Sequence, residues 1–184
     1  MESPYTGFVD NVWEEFPQLA EWHNLDASVL PMWNLEQFVE VGYHNFLAER
    51  KPLYNLSTLI EKYAQDNHQP LLATFEKIAR FGFVKKRYQE MIKNLPKVWI
   101  VADFDKKTIP SDELSENTKF LSCQDTDLAN MWTVITRGPY GPFGLIAEEF
   151  EEGKFRGFFT LNPNVCRHVL KVMGKTLGTK FILE

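Results

Sequence analysis

The apolar positions of this chain follow two periodicities, which divide it into helices and strands. Between residues 34 and 50, apolar side chains recur at helical spacing, and Asn34 with Gln37 forms a capping-box pattern at the start. We therefore expect one amphipathic helix there, ended by Pro52, with His44 on its solvated side. Further helices are predicted over 57–66, 83–95 and 162–177.

Short unbroken apolar runs predict buried strands. The runs at 71–75 and 98–102 flank the helix of 83–95, and the order strand–helix–strand predicts a parallel pair. Further strands are expected at 120–123, at 131–136, and in a hairpin of 143–150 and 155–161 with Gly153 in its turn. The predicted fold class is therefore α/β, with a mixed β-sheet of about five to six strands flanked by helices.

The N-terminal segment is rich in aromatic residues and is predicted to be helical. It either packs on the main body or docks on a partner or a second copy, because aromatic anchors dominate interfaces. As an interface arm it would use Trp13, Phe16, Trp22 and Trp33. We divide the chain into a helical N-terminal extension, 1–55, and a main domain, 56–184.

Composition and charge exclude several classes of protein. The chain has 184 residues and a net charge of −5, which gives it no long-range attraction for nucleic acid. No apolar run is long enough to cross a membrane, and no secretory signal begins the sequence, so a cytoplasmic location is expected. The two cysteines, Cys123 and Cys166, form neither a disulfide framework nor a metal-ligand pattern.

Candidate polar chemistry follows the predicted parallel strands. Glu76 comes after the first strand and Asp103 after the second, at the sheet edge where α/β folds bind ligands. We hypothesise that Glu76, Asp103 and Arg137 line a small polar pocket, with Trp132 and Tyr140 as further ligand or partner contacts. The alternative is that these acids are ordinary loop residues and helix caps. No motif of a nucleophile with its base is present, so no catalytic residue is predicted.

The sequence also contains two groups of basic residues and one run of acidic residues. The run 85–87 and the stripe Arg167, Lys171 and Lys175 are either solvated surface or sites for an acidic partner or an anionic ligand. Glu148 and Glu149, within the acidic run of 148–152, are expected at the exposed end of the hairpin.

Residues 56–177 resemble the DICT sensory domain, named for diguanylate cyclases and two-component systems. Four features carry this resemblance, in the same order along the chain. The first two are the strand 72–76, which ends in Phe-Glu, and the basic helix around Lys86-Arg87-Tyr88. The third is Trp132 with the following Gly-Pro-Tyr loop and 144–149, and the fourth is 156–160, which leads into Asn162-Pro163. The resemblance implies a non-catalytic sensory or adaptor domain of bacterial signal transduction.

Such a domain would bind a signalling protein (a kinase, a cyclase or a regulator) or a second copy of itself. Whether it also binds a small ligand is an open question at this point. The cofactor is unknown; a bilin chromophore would need an accessible thiol. One alternative function is a ligand-free scaffold or assembly factor. Another is a small enzyme that uses the strand-end carboxylates of Glu76 and Asp103.

Overall fold

The computed structural model describes residues 7–21, 24–25, 32–105, 107, 109 and 116–183. The described helices are α1 (Phe8–Glu15), α2 (Pro17–Ala20), α3 (Leu35–Val41), α4 (Arg50–Asp66), α5 (Ile78–Ile92) and α6 (Pro163–Leu177). The described strands are β1 (Asn24–Leu25), β2 (Tyr43–Glu49), β3 (Leu71–Thr74), β4 (Val98–Ala102), β5 (Thr118–Ser122), β6 (Met131–Gly138), β7 (Gly141–Glu151) and β8 (Lys154–Thr160).

All described strands form one mixed sheet in the order β1-β2-β8-β7-β6-β3-β4-β5. The predicted parallel pair, β3 and β4, is confirmed, and β5 continues it in parallel. The strands β6, β7, β8 and β2 follow in antiparallel order on the other side of β3. The α/β class is therefore correct, but the described sheet has eight strands rather than five to six, because β1 and β2 were not predicted.

The single helix predicted over 34–50 is wrong. Its capping box is present, since the Gln37 amide donates to Asn34 Oδ1 (3.0 Å) and the Asn34 amide donates to Gln37 Oε1 (2.9 Å). However, Gly42 has a φ of +84°, where a residue without Cβ is favoured, and α3 ends there. The chain then continues as β2.

β2 looked helical because its apolar residues Tyr43, Phe46 and Leu47 stand three and four positions apart. In the strand the polar Asn45 is buried and Leu47 is exposed, so tertiary contacts override this spacing. His44 belongs to this strand and is buried near Phe159 and Trp33, which corrects its predicted solvated position. Pro52 does not end a helix; it lies in the first turn of α4, where no amide hydrogen bond is needed.

Two helical layers cover the sheet. One hydrophobic core joins α3, α4 and α5 to the first face, and a second core joins α1, α2 and α6 to the other. The predicted domain boundary at residue 55 falls inside α4, and β2 pairs along its whole length with β8.

The aromatic residues proposed as an interface arm contact their own chain where they are described. Trp13 Nε1 donates a hydrogen bond to the Tyr43 hydroxyl (3.1 Å), and Phe16 packs edge-on against His168. Trp33 packs edge-on against Phe38. Trp22 lies outside the described residues.

Candidate functional site

A cleft of about 730 Å³ lies between α4 and α5, over the carboxyl end of β3 and the beginning of β6. Apolar and aromatic side chains supply much of its wall: Tyr54, Phe75, Phe83, Val84, Trp132 and Val134. Its polar lining consists of Arg50, Lys51, Ser57, Glu61, Thr74, Glu76, Lys77, Arg80 and Arg87. An apolar cleft with a few converging polar groups is the usual form of a small-molecule site.

The connection between β3 and α5 positions the central carboxyl group of this cleft. β3 ends at Thr74, and α5 begins at Ile78, whose amide donates to Asp103 Oδ1. Glu76 lies in this short connection and is only 2% exposed although it lines the cleft. The carboxyl end of β3 therefore carries a buried acid, at the edge that the sequence predicted.

Glu76 forms a carboxyl pair with Glu149 of β7. The two side chains share a hydrogen bond, and Arg80 lies beside both, with its Nε 3.3 Å from Glu76 Oε1 and its guanidinium 3.4 Å from Glu149 Oε2. Arg50 donates to Glu149 Oε2 at 3.2 Å, and so does the amide of Gly153. Each carboxyl group therefore has a different environment.

These environments separate the two pKa values. Burial raises the pKa of Glu76 to about 8, with Arg80 opposing this and the charge of Glu149 adding to it. Burial also disfavours the charged form of Glu149, but hydrogen bonds from Gly153, Glu76 and Arg50 outweigh it and lower the pKa of that carboxyl. At neutral pH the pair consequently holds one proton, on Glu76.

Two polar atoms of this cluster are buried without a hydrogen bond to the described part of the chain. They are Glu76 Oε1 and Arg80 Nε, which lie 3.3 Å apart without hydrogen-bond alignment. Buried polar atoms nearly always have a hydrogen-bond partner, so two such atoms beside a cleft are unusual.

A second ion pair lies deeper along α4. Glu61 is buried, accepts a hydrogen bond from the Tyr88 hydroxyl (2.7 Å), and pairs with Arg87. Burial raises the pKa of Glu61, and Arg87 partly offsets this. Arg87 also lies over the ring of Tyr54, 5.5 Å from its centroid, so its cation is held at the cleft wall.

Trp132 closes the cleft from the side of the sheet. Its Nε1 donates to Ser57 Oγ at 2.9 Å, and its ring packs edge-on against Phe155. The indole therefore has a defined orientation between α4 and β6.

The cleft is basic although the chain is acidic. Its lining includes five cationic side chains against two carboxyl groups, in a chain whose net charge is −5. With Glu76 protonated near neutral pH, the five cations still outnumber the charges of Glu61 and of the adjacent Glu149, so the local field favours a negatively charged ligand.

The hypothesis of a pocket formed by Glu76, Asp103 and Arg137 is wrong. β6 runs antiparallel to β3, with Thr136 opposite Leu71, so Arg137 lies near the beginning of β3 and Glu76 beyond its end. Arg137 donates to Gln69 Oε1 at 2.6 Å, and Asp103 accepts from the first amide of α5, as a helix cap does.

Of the five predicted contact residues, the structure brings Glu76 and Trp132 together in one cleft. Tyr140 is exposed in the turn between β6 and β7 and lines a different groove. Sequence reasoning missed Arg50, Arg80 and Glu149. The spacing of Glu76 and Arg80, four residues apart, is a signal that could have identified that pair.

The exposed position predicted for the acidic residues of the hairpin is wrong for Glu148, which is fully buried, and Glu149 is largely covered within the cluster described above. Both cysteines are buried as free thiols, and burial raises the pKa of each, that of Cys123 to about 11. Neither is the accessible thiol that a bilin would need. No cluster of three or more potential metal ligands occurs among the described residues.

No family model matches this chain, and no curated protein matches it. A crystal structure of polyphosphate kinase from Porphyromonas gingivalis matches with a TM-score of 0.48 and 11% identity; the match covers 72% of this chain and 23% of that chain. No helix in the described ranges has both the length and the apolarity that crossing a membrane requires.

The comparisons give no support to the predicted function of a non-catalytic sensory or adaptor domain; the matched structure belongs to a kinase. At this TM-score and identity, the likeness supplies no argument for any particular activity of the present chain. None of these findings bears on the resemblance to the DICT domain, which stays a prediction.

Proposed function

We propose that this chain binds a small organic anion in the cleft between α4 and α5. The apolar or aromatic part of the ligand lies between Trp132 and Phe83, and its acidic group points towards Arg80. The observation that carries this proposal is the pair of buried atoms, Glu76 Oε1 and Arg80 Nε, that make no hydrogen bond to described residues.

The energetic argument concerns these two atoms. An unsatisfied buried polar group costs roughly 1–3 kcal/mol, so a ligand that bonds to it recovers free energy that the empty site lacks. A negatively charged acceptor suits Arg80, and a ligand donor suits Glu76 Oε1.

The aromatic wall supports an apolar ligand body. Phe83 is 88% exposed although it belongs to α5, and it borders the cleft together with Trp132. A large exposed aromatic side chain beside a partly buried indole provides two surfaces against which a flat ligand packs.

The direct test is a titration with 1-anilinonaphthalene-8-sulfonate, an aromatic anion whose fluorescence rises in apolar surroundings. We expect saturable binding to the full chain. Phe83→Ser and the double variant Lys51→Gln/Lys77→Gln should each weaken binding roughly three- to tenfold, since each change removes about 1 kcal/mol of contact or charge interaction.

Two controls match these variants. Val41→Ser removes an exposed apolar side chain outside the cleft, and Lys93→Gln/Lys119→Gln removes the same charge from other surfaces. Absence of saturable binding, or equal weakening in the controls, would contradict the proposal. Circular dichroism verifies that every variant is folded.

The separated pKa values of Glu76 and Glu149 favour a second candidate, an enzyme that uses Glu76 as proton donor. Paired carboxyl groups with separated pKa values are the usual arrangement of an acid and a base. Release of phenol from phenyl phosphate and phenyl sulfate tests this, because the leaving phenolate oxygen, with a pKa of about 10, takes up the proton that Glu76 donates. Glu76→Gln should lower a measured rate by about a hundredfold or more; an unchanged rate would exclude this role.

A further inference from the structure

A second groove, of about 710 Å³, lies between α6 and the chain that follows it. α6 ends at Gly178, whose φ of +65° turns the chain back, and the Thr179 amide donates to the Gly174 carbonyl at 2.9 Å. Gly174 permits this close approach, because a Cβ there would lie 2.4 Å from the carbonyl oxygen of Thr179. The returning segment, residues 179–183, forms one wall of the groove.

This segment has the side-chain alternation of a strand. Phe181 and Leu183 are buried, with Phe181 edge-on to Trp99, whereas Lys180 and Ile182 are exposed. Nevertheless the segment pairs with none of the described strands. Among the described residues, its backbone beyond Thr179 also makes no hydrogen bond to another backbone group. It therefore presents an unpaired edge, which is a template for an additional strand.

The opposite wall of the groove is basic. Arg167, Lys171 and Lys175 recur every four residues along α6, and Lys180 lies across from them. No carboxylate is found among the described residues that line the groove, and the three lysines form no ion pair with any described residue. Such a concentration of positive charge is unexpected in a chain of net charge −5.

We propose that this groove binds an acidic peptide segment of a partner protein, added as a strand along residues 179–183 with its carboxylates facing α6. From Arg167 to Lys175 the helix rises about 12 Å, which matches three to four residues of an extended peptide. Main-chain hydrogen bonds would supply affinity and the basic stripe would select acidic side chains, as in other cases of strand addition. Ile182, which is exposed on this segment, offers an apolar contact for one side chain of the peptide.

This inference does not depend on the ligand of the cleft. α6 packs in the core on the sheet face opposite α4 and α5. The failure of either proposal would therefore leave the other standing.

The test uses a fluorescein-labelled peptide of alternating glutamate and valine, about eight residues long, and fluorescence anisotropy with the full chain. We expect saturable binding that weakens at least about tenfold in Lys171→Glu/Lys175→Glu and also weakens when NaCl is raised from about 50 to about 300 mM. Lys93→Glu/Lys119→Glu is the matched control and should bind as the unaltered chain does.

Several outcomes would overturn the proposal. They are no saturable binding, equal loss in the control variant, or equal affinity for a peptide of alternating lysine and valine. Binding of phosphatidylglycerol vesicles that requires Lys171 and Lys175, without peptide binding, would also overturn it and assign the stripe to an anionic membrane surface. Added 4-nitrophenyl phosphate that displaces the peptide only at millimolar concentration would support an extended peptide over a small anion.

Discussion

Glu148 and Glu149 are neighbours on β7, but they belong to ion clusters on opposite faces of the sheet. Glu148 faces the layer of α1, where its Oε2 accepts the Phe8 amide (2.9 Å) and its Oε1 accepts Arg156 Nε (2.9 Å). Glu149 faces α4 and α5, where it contacts Arg50 and Arg80 and shares a hydrogen bond with Glu76.

The two clusters differ in how completely their buried atoms are bonded. Both oxygens of Glu148 have partners, and Arg156 also pairs with Asp10 of α1, so this cluster joins α1 to β7 and β8. The cluster of Glu149 and Glu76 contains buried atoms that bond to no described residue, and it borders a cleft. Both clusters consist of glutamates and arginines, but they have different consequences. The cluster of Glu148 connects elements of the fold, whereas the cluster of Glu149 and Glu76 has polar atoms that can still form hydrogen bonds to a ligand.

The largest expected effect comes from removing the structural carboxylate. Glu148→Ala leaves Arg156 with fewer partners and deprives the first amides of α1 of their acceptor. We expect the free energy of unfolding to fall by about 3–5 kcal/mol, as for other broken buried ion pairs. Urea denaturation followed by tryptophan fluorescence measures it.

Glu151→Ala is the control, because Glu151 pairs with Lys154 at the surface of the same hairpin. Its cost should be within about 0.5 kcal/mol. A loss below about 1 kcal/mol in Glu148→Ala would mean that this cluster does not hold α1.

The next largest effect is a pH dependence from Glu76, whose pKa is raised from 4.5 to about 8. In the window between about 4.5 and 8, the folded chain keeps a proton that the unfolded chain has released, so stability falls as pH rises. Because glutamine does not titrate, the stability of Glu76→Gln does not fall with rising pH in this way. We expect its advantage in unfolding free energy to grow by about 3.5 kcal/mol from about pH 5 to about pH 8.

Glu90→Gln is the matched control for this titration, since Glu90 is exposed on α5 and pairs only with Lys93 in the described part of the chain. The control should show no growing advantage over the same pH range. A difference between Glu76→Gln and the unaltered chain that stays constant with pH would show that Glu76 ionises normally in the folded chain.

A smaller effect is expected from the contact that orients the indole. Ser57→Ala removes the acceptor of Trp132 Nε1 and should cost about 1 kcal/mol of stability. It should also weaken binding of the anilinonaphthalene probe. Thr58→Ala is the control, because among the described residues the Thr58 hydroxyl bonds only within α4, to the Asn55 carbonyl. If both variants weaken binding of the probe equally, the orientation of Trp132 does not contribute to that binding.

The smallest effect on stability belongs to Arg50, which is exposed at the rim of the cleft and pairs with Glu149. Arg50→Gln should change the free energy of unfolding by less than about 0.5 kcal/mol, as is usual for surface ion pairs. Its probe affinity should nevertheless fall. Lys62→Gln, which removes a comparable surface pair with Asp66, should leave the probe affinity unchanged. If Lys62→Gln lowers the probe affinity and Arg50→Gln does not, Arg50 does not belong to the binding site.

The sequence predicted most elements correctly where local rules apply. The β7–β8 hairpin with Gly153 at positive φ and α6 with its Asn162 cap match the structure. The β3–α5–β4 unit matches in order and direction, but its helix, predicted over 83–95, spans Ile78–Ile92. The sequence-based prediction failed at β2, since Tyr43, Phe46 and Leu47 of that strand stand at helical spacing although Leu47 is exposed. Of the candidate site, Glu76 and Trp132 were identified, but their charged neighbours were not.

What the sequence alone determined is therefore local: helix caps, turn glycines, apolar strands and an acid after β3. Which side chains meet depended on sheet order and direction, which are set by contacts between distant segments. The antiparallel course of β6 separates Arg137 from Glu76, and the pairing of β7 with β6 and β8 brings Glu149 to Arg80. Burial then decides the chemistry, because the same glutamate side chain is an ordinary acid in water and holds its proton to about pH 8 beneath α4 and α5.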